Sequence, residues 1–191
     1  MLIMGMDEVG RGPLAGPVVS AGIVIKPEKL AHIKVKDSKK MSVNARNKCY
    51  ESLVKSACCW TIGVSGVDEI DRINIREATF LAMKRAFFAS WMKPDQLWID
   101  GNATIDLAVK QKAIVKGDML EPIISAASII AKVYRDRLMA MYHAQYPEYG
   151  FLNHSGYGTK MHIEALNQYG YVKGLHRKSF RPVAQVKERA I

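Results

Sequence analysis

Two adjacent acids, Asp7 and Glu8, open the stretch "DEVGRGPLAGPVV", and two more, Asp100 and Asp118, close the short runs "QLWIDG" and "AIVKGD". Strands that end together at one edge of an α/β sheet bring sequence-distant side chains into contact, and ligands commonly sit at that edge. Four carboxylates converging there repel one another unless hard divalent cations compensate them. Mg²⁺ and Mn²⁺ take such oxygen ligands and keep waters for a substrate. The matching chemistry is two-metal phosphoryl transfer, in which one ion generates and aims the attacking hydroxide and the other stabilises the leaving oxygen. A regular strand points Asp7 and Glu8 to opposite faces. Both reach one site only if the strand has ended or bulged, or if Glu8 contributes its backbone carbonyl.

Gly10, Arg11 and Gly12 follow the acidic pair directly. Glycines here permit unusual backbone conformations and close approach of a ligand, so that N–H groups can line a polar nest, while Arg11 adds a charge suited to phosphate. His154 and His162 lack a Cys partner or HxxxH spacing for zinc. No histidine is an obvious catalytic base, which leaves a metal-activated water as nucleophile.

Five short segments rich in apolar or β-branched residues are expected to position these groups: strands over 2–8, 17–25, 58–66 ("CCWTIGVSG"), 96–101 and 113–118. Ser42 is expected to cap a helix to about Ala57, with Val43, Tyr50, Leu53 and Val54 on its apolar side. A second helix is expected over 74–91. There Ile75, Ala78, Ala82, Arg85 and Ala89 step at three and four, Leu81, Phe87 and Phe88 thicken the apolar face, and Pro94 ends the pattern. A long helix follows from about Glu121, then an amphipathic segment "TKMHIEALNQYG" and a basic tail "LHRKSFRPV". This order indicates one α/β domain built on a mixed sheet.

The 28 basic and 18 acidic residues give a net charge of +10, which favours a polyanion as partner through counterion release. Cys49, Cys58 and Cys59 show no CxxC spacing and cannot all pair within the chain, as expected of a reduced cytoplasmic protein. Charge at Asp7 interrupts any signal-peptide core, and no apolar run approaches the ~20 residues of a membrane span.

Together with "DSKKMS" (37–42), "IDGN" (99–102), "VKGD" (115–118), "SAASIIAKVYRD" (125–136), "HSGYGTKMH" (154–162) and "HRKSFRPV" (176–183), the opening stretch resembles the type 2 ribonucleases H, specifically the bacterial ribonuclease HII family. The motifs occur in the family's order across essentially the whole chain. The resemblance implies an α/β, ribonuclease H-like fold: a mixed five-stranded sheet flanked by helices, with a helical C-terminal part at roughly 140–191. It implies a monomeric endonuclease that cuts the RNA strand of RNA–DNA hybrids. It also implies incision 5′ of a single ribonucleotide in duplex DNA, leaving 3′-hydroxyl and 5′-phosphate ends.

By the same resemblance Asp7, Glu8, Asp100 and Asp118 bind two Mg²⁺ or Mn²⁺ ions. Gly10, Arg11 and Gly12 read the 2′-hydroxyl through backbone groups, and Tyr157 helps to recognise the ribonucleotide followed by a deoxyribonucleotide. Lys39 and Lys40 are expected to bind substrate phosphates. Ser128, Lys132 and Arg135 recur at helical spacing and are expected to present a polar face toward the acids or the nucleic-acid backbone. His176, Arg177, Lys178 and Arg181 either grip DNA or dress the C-terminal surface. Ser155 departs from the family's usual Lys before the GYGT segment, at the expense of one phosphate contact. Ribonuclease HIII, a relative with an additional N-terminal domain that usually lacks the Arg of this loop, fits less well, since Asp7 stands close to the start and Arg11 is present. A catalytically silent hybrid-binding module is the alternative from another class; loss of an acid would mark it, and all four acids are here.

Overall fold

Continuous burial from Met4 to Asp7 on both faces of "IMGMDEV" marks the first strand as central. β1 (Ile3–Val9) pairs antiparallel with β2 (Val18–Val24) and parallel with β4 (Gln96–Asp100). In this computed structural model, which describes residues 1–35, 38 and 40–189, β3 (Cys59–Ser65) and β5 (Lys110–Ile114) complete a five-stranded mixed sheet of order β3-β2-β1-β4-β5. The helices are α1 (Pro27–Ala31), α2 (Val43–Ser56), α3 (Val67–Phe88), α4 (Gly117–Leu120), α5 (Pro122–Gln145), α6 (Phe151–His154), α7 (Lys160–Tyr169) and α8 (Arg181–Ala184). None of the described helices is long and apolar enough to cross a membrane.

α2 and α5 cover one face of the sheet, where Ala21 and Ile23 meet Leu53, Ala126, Ile129 and Ile130. α3 covers the other, where Met4, Met6, Leu97 and Ile99 meet Met83 and Ala86. A further cluster of Leu14, Ala15, Met139, Tyr149, Phe151 and Leu175 seals the C-terminal helices onto the loop that leaves β1. The expected mixed sheet with a helical C-terminal part is therefore present. The burial of these clusters excludes water from both faces, the dominant favourable term in folding.

Local departures have physical causes. Leu53 is buried and Tyr50 packs against the same core as expected, but Val43 is exposed, and α2 also turns Cys49 and Arg46 inward, the Arg46 guanidinium donating to the Ser38 and Met41 carbonyls. α3 begins at Val67, ahead of the expected start. Asn74 interrupts it with φ 68° and accepts the N–H groups of Arg76 and Glu77 through its side chain, so the segment expected as a whole helix is the second half of a kinked one. The inward face of that half is Ala78, Thr79, Ala82, Met83 and Ala86, while Arg85, Phe88 and Ala89 lie exposed. β5 ends at Ile114, so Asp118 is not at a strand end but in α4, whose N-cap, Lys116, is left-handed.

Candidate active site

β1 stays regular through both acids, with Asp7 opposite Ala21 and Glu8 opposite Ser20. Neither an ended strand nor a bulge rescues their divergence. Asp7 points to the α5 face, where it is 4% exposed, and Glu8 shares the α3 side with Met4 and Met6. Asp100 ends the neighbouring parallel strand, and its Oδ1 accepts the backbone N–H of Asp118 at 3.2 Å. The Asp118 carbonyl in turn accepts the Ser125 hydroxyl at 2.5 Å, which pins α4 to the start of α5. Glu8 and Asp100 both line a cleft of about 70 Å³ with Arg11, Thr79, Gly101 and Asn102.

The Asp7 carboxyl lies well above the ordinary carboxylate range. Burial is the largest cause, followed by the negative charges of Glu8 and Asp100; hydrogen bonds from the Ser128 side chain and the Glu8 N–H oppose it in part. Among the described residues no three His, Cys, Asp or Glu side chains are drawn into a group able to hold a metal ion. Asp7, Glu8 and Asp100 thus act on one another by charge from two faces of the sheet without closing into one ligand set, and Asp118 is joined to Asp100 through its backbone N–H.

α5 positions the rest by running alongside β1. A Cβ on Gly5 would lie 2.4 Å from the Ile123 carbonyl oxygen, so only glycine allows this approach. With ~1.5 Å rise per helical residue and ~3.3 Å per strand residue, Ile123, Ser128 and Arg135 keep pace with Gly5, Asp7 and Gly10. Ser128, which bonds the Asp7 carboxyl, also lies 3.1 Å, Oγ to Oγ, from Ser38 of the "DSKK" motif. Lys40 of that motif is exposed; Lys39 lies outside the described residues. Lys132 is engaged by Asp136 at 2.5 Å, and Asp136 also takes Arg46 at 3.1 Å.

Gly10 adopts φ 95°, and Arg11 is half exposed, 3.6 Å from Glu8. Gly12 lies under Tyr157, whose Cε1 stands 3.4 Å from where a Gly12 Cβ would be. The loop also binds the GYGT segment through the Leu14 N–H, which donates to the Gly156 carbonyl at 2.8 Å. Structure thus joins the glycine loop and Tyr157 into one wall beside the acids.

Four polar residues have roles that sequence reading did not supply. Arg135 does not face the acids: it is buried and donates to the Pro17, Ala15 and Ser155 carbonyls at 3.0, 2.9 and 2.9 Å. Arg177 and His176 neither grip DNA nor dress the surface, since both are buried; Lys178 and Arg181 are exposed. His176 accepts the Val172 N–H at Nδ1, which assigns its proton to Nε2, 3.2 Å from His162 Nε2. His162 then donates from Nδ1 to the Tyr157 carbonyl at 2.9 Å. Burial holds His162 down at about 4 and His176 at about 3, so both are neutral. The motif "HRKSF" contains His176 and Arg177, but a basic cluster gives no signal of burial.

The ribonuclease HII family model matches residues 4–183, which span all four acids, the glycine loop and Tyr157. A ribonuclease HII of Coxiella burnetii is 49% identical over 187 residues, covering 98% of this chain and 92% of that protein. The crystal structure of ribonuclease H2 from Pyrococcus horikoshii OT3 superposes with a TM-score of 0.80 at 29% identity, covering 97% of this chain and 96% of its own. Bst-RNase HIII in complex with Mn²⁺ shares the fold, with a TM-score of 0.77 at 18% identity; the match covers 96% of this chain but 68% of that longer one. With near-complete coverage by the family model and by a relative of almost equal length, the chain belongs to the ribonuclease HII family.

Proposed function

We propose that this chain, a metal-dependent ribonuclease H by family, hydrolyses the RNA strand of RNA–DNA hybrids and also incises duplex DNA on the 5′ side of a single embedded ribonucleotide. The products are 3′-hydroxyl and 5′-phosphate ends. The observation that carries this reading is the Asp7 carboxyl, buried at the shared end of β1 and β4 beneath the charges of Glu8 and Asp100. Its ionised form is disfavoured as it stands, and compensation by a hard cation is the chemistry that oxygen-only donors suit.

Asp7, Glu8, Asp100 and Asp118 are the residues that would hold two divalent ions, Mg²⁺ or Mn²⁺. The chemistry such ions supply when bound is activation of the attacking water and stabilisation of charge on the leaving oxygen. Arg11, half exposed beside Glu8, attracts the phosphate of the scissile step. The N–H groups of the Gly10–Gly12 loop read the 2′-hydroxyl, the group that separates RNA from DNA. Tyr157 rests its ring against the following sugar, which lacks that hydroxyl. Ser128 orients Asp7, and Lys40 supplies a further phosphate contact. The three cysteines are free, which fits a reducing, cytoplasmic setting.

The test is incubation with an RNA–DNA hybrid, a duplex containing one ribonucleotide and an all-DNA duplex, each with Mg²⁺, Mn²⁺ or EDTA. Metal-dependent cutting of the first two, with incision immediately 5′ of the single ribonucleotide and the all-DNA control intact, is the expected result. Salt-sensitive binding without cleavage would instead indicate a silent binding module. Cutting of the hybrid alone would remove the role given to Tyr157.

A further inference from the structure

We propose that Arg177 is a positioning residue for ribose recognition: it holds the Gly10 and Arg11 carbonyls inward so that the Arg11 and Gly12 N–H groups face the substrate. This rests on the reading of the glycine loop given above. The guanidinium is fully buried and gives its donors to backbone oxygens: Gly10 at 2.6 Å, Arg11 at 2.9 Å, and Gly16 at 2.9 Å from Nε and 2.7 Å from a terminal nitrogen. In a planar trans peptide the carbonyl and the next residue's N–H point in opposite directions. Fixing the Gly10 and Arg11 oxygens toward Arg177 therefore turns the following two N–H groups away from it.

Burying a guanidinium is costly unless its donors are matched. Asp71 acts on Arg177 through its charge, but its oxygens accept the Lys178 and Ser179 N–H groups, each at 2.9 Å, and the Ser179 hydroxyl at 2.6 Å. That arrangement anchors the segment carrying Arg177 to α3 and leaves the guanidinium to the loop. Phe180 lies 5.1 Å beneath the guanidinium carbon. Burial and the neighbouring Arg135 lower Arg177 to about 9, so it remains a cation at neutral pH.

Arg135 holds the next stretch of the same loop and also the Ser155 carbonyl, so the loop and the GYGT segment are clamped to each other. A lysine keeps the charge of Arg177 but presents its donors from a single point and cannot span three carbonyls. Its substitution separates positioning from charge.

The experiment compares the full-length wild type with Arg177→Lys on a duplex containing one ribonucleotide, with Mn²⁺, together with circular dichroism melts and competition by an all-DNA duplex. Misaimed donors lower kcat roughly 10- to 100-fold, while KM and all-DNA competition stay at wild-type values. A merely structural role would lower the folded fraction without this split. Wild-type kcat in folded Arg177→Lys overturns the proposal. Should that variant fail to fold, Asp71→Ala, which loosens the anchor and leaves the guanidinium in place, is expected to lower kcat in the same pattern by a smaller factor; an unchanged kcat there overturns it. An active wild type with an indifferent variant refutes only the role of Arg177. A wild type inactive on both ribonucleotide-containing substrates refutes the assigned function and this role with it.

Discussion

The ring of Tyr157 lies directly against Gly12, with Cε1 3.4 Å from the position a Cβ would take there. Two segments 145 residues apart in sequence therefore form one surface, and the Leu14–Gly156 and Arg135–Ser155 hydrogen bonds keep it together.

Tyr157→Ala removes the half-exposed ring from that surface without opening the core. The expected loss is larger on a duplex with one ribonucleotide than on a uniform RNA–DNA hybrid, since only the former presents a ribose followed by a deoxyribose at every productive register. Initial rates on the two substrates, measured side by side, check this. An equal loss on both refutes the junction role.

Asp7→Asn retains the shape of a carboxyl whose ionisation the fold disfavours, so the melting midpoint is expected to stay the same or rise. Cleavage of an RNA–DNA hybrid is expected to fall by at least about 10³-fold, the equivalent of several kcal/mol of lost transition-state stabilisation. Near-normal turnover by the folded variant removes Asp7 from the metal-binding set.

The buried neutral pair His162 and His176 ties stability to acid pH. Both are lowered in the folded state, to about 4 and about 3, from the ~6.5 of an exposed histidine. The unfolded chain therefore binds protons first: their contribution is complete above pH ~6.5 and is lost as pH falls from there toward 4 and 3. Melting midpoints across this range should fall steeply. His176→Asn should flatten that acid limb while lowering the midpoint at neutral pH.

Glu69 provides a control outside the cleft that Glu8 and Asp100 line. Its carboxylate accepts two 2.7 Å bonds from Arg85 and caps the Gly66 N–H at 2.9 Å, which lowers it to about 2. Arg85 is substantially exposed, so solvent screening limits the pair. Glu69→Gln should cost about 1 kcal/mol, mainly through the weakened cap, with cleavage rates unchanged. A denaturant titration and a rate assay on the same preparation test both halves.

Sequence by itself determined the elements and the reactive inventory. β5 apart, which lies at Lys110–Ile114 rather than over 113–118, runs of apolar or β-branched residues mark the strands, Ser42 caps its helix as a side-chain acceptor, and the four acids and the glycine loop stand in readable motifs. These features are legible because they depend on neighbours a few residues away. Tertiary structure decided which face each acid takes: Asp7 and Glu8 diverge because β1 remains paired with β2 through both residues. It also moved Asp118 off a strand end into α4, buried His162 and His176 against each other, and buried Arg135 and Arg177 against carbonyls far along the chain. A guanidinium reads as a surface charge until the fold places backbone acceptors around it; those acceptors come from residues 10–17 and 155, which only long-range packing brings to them.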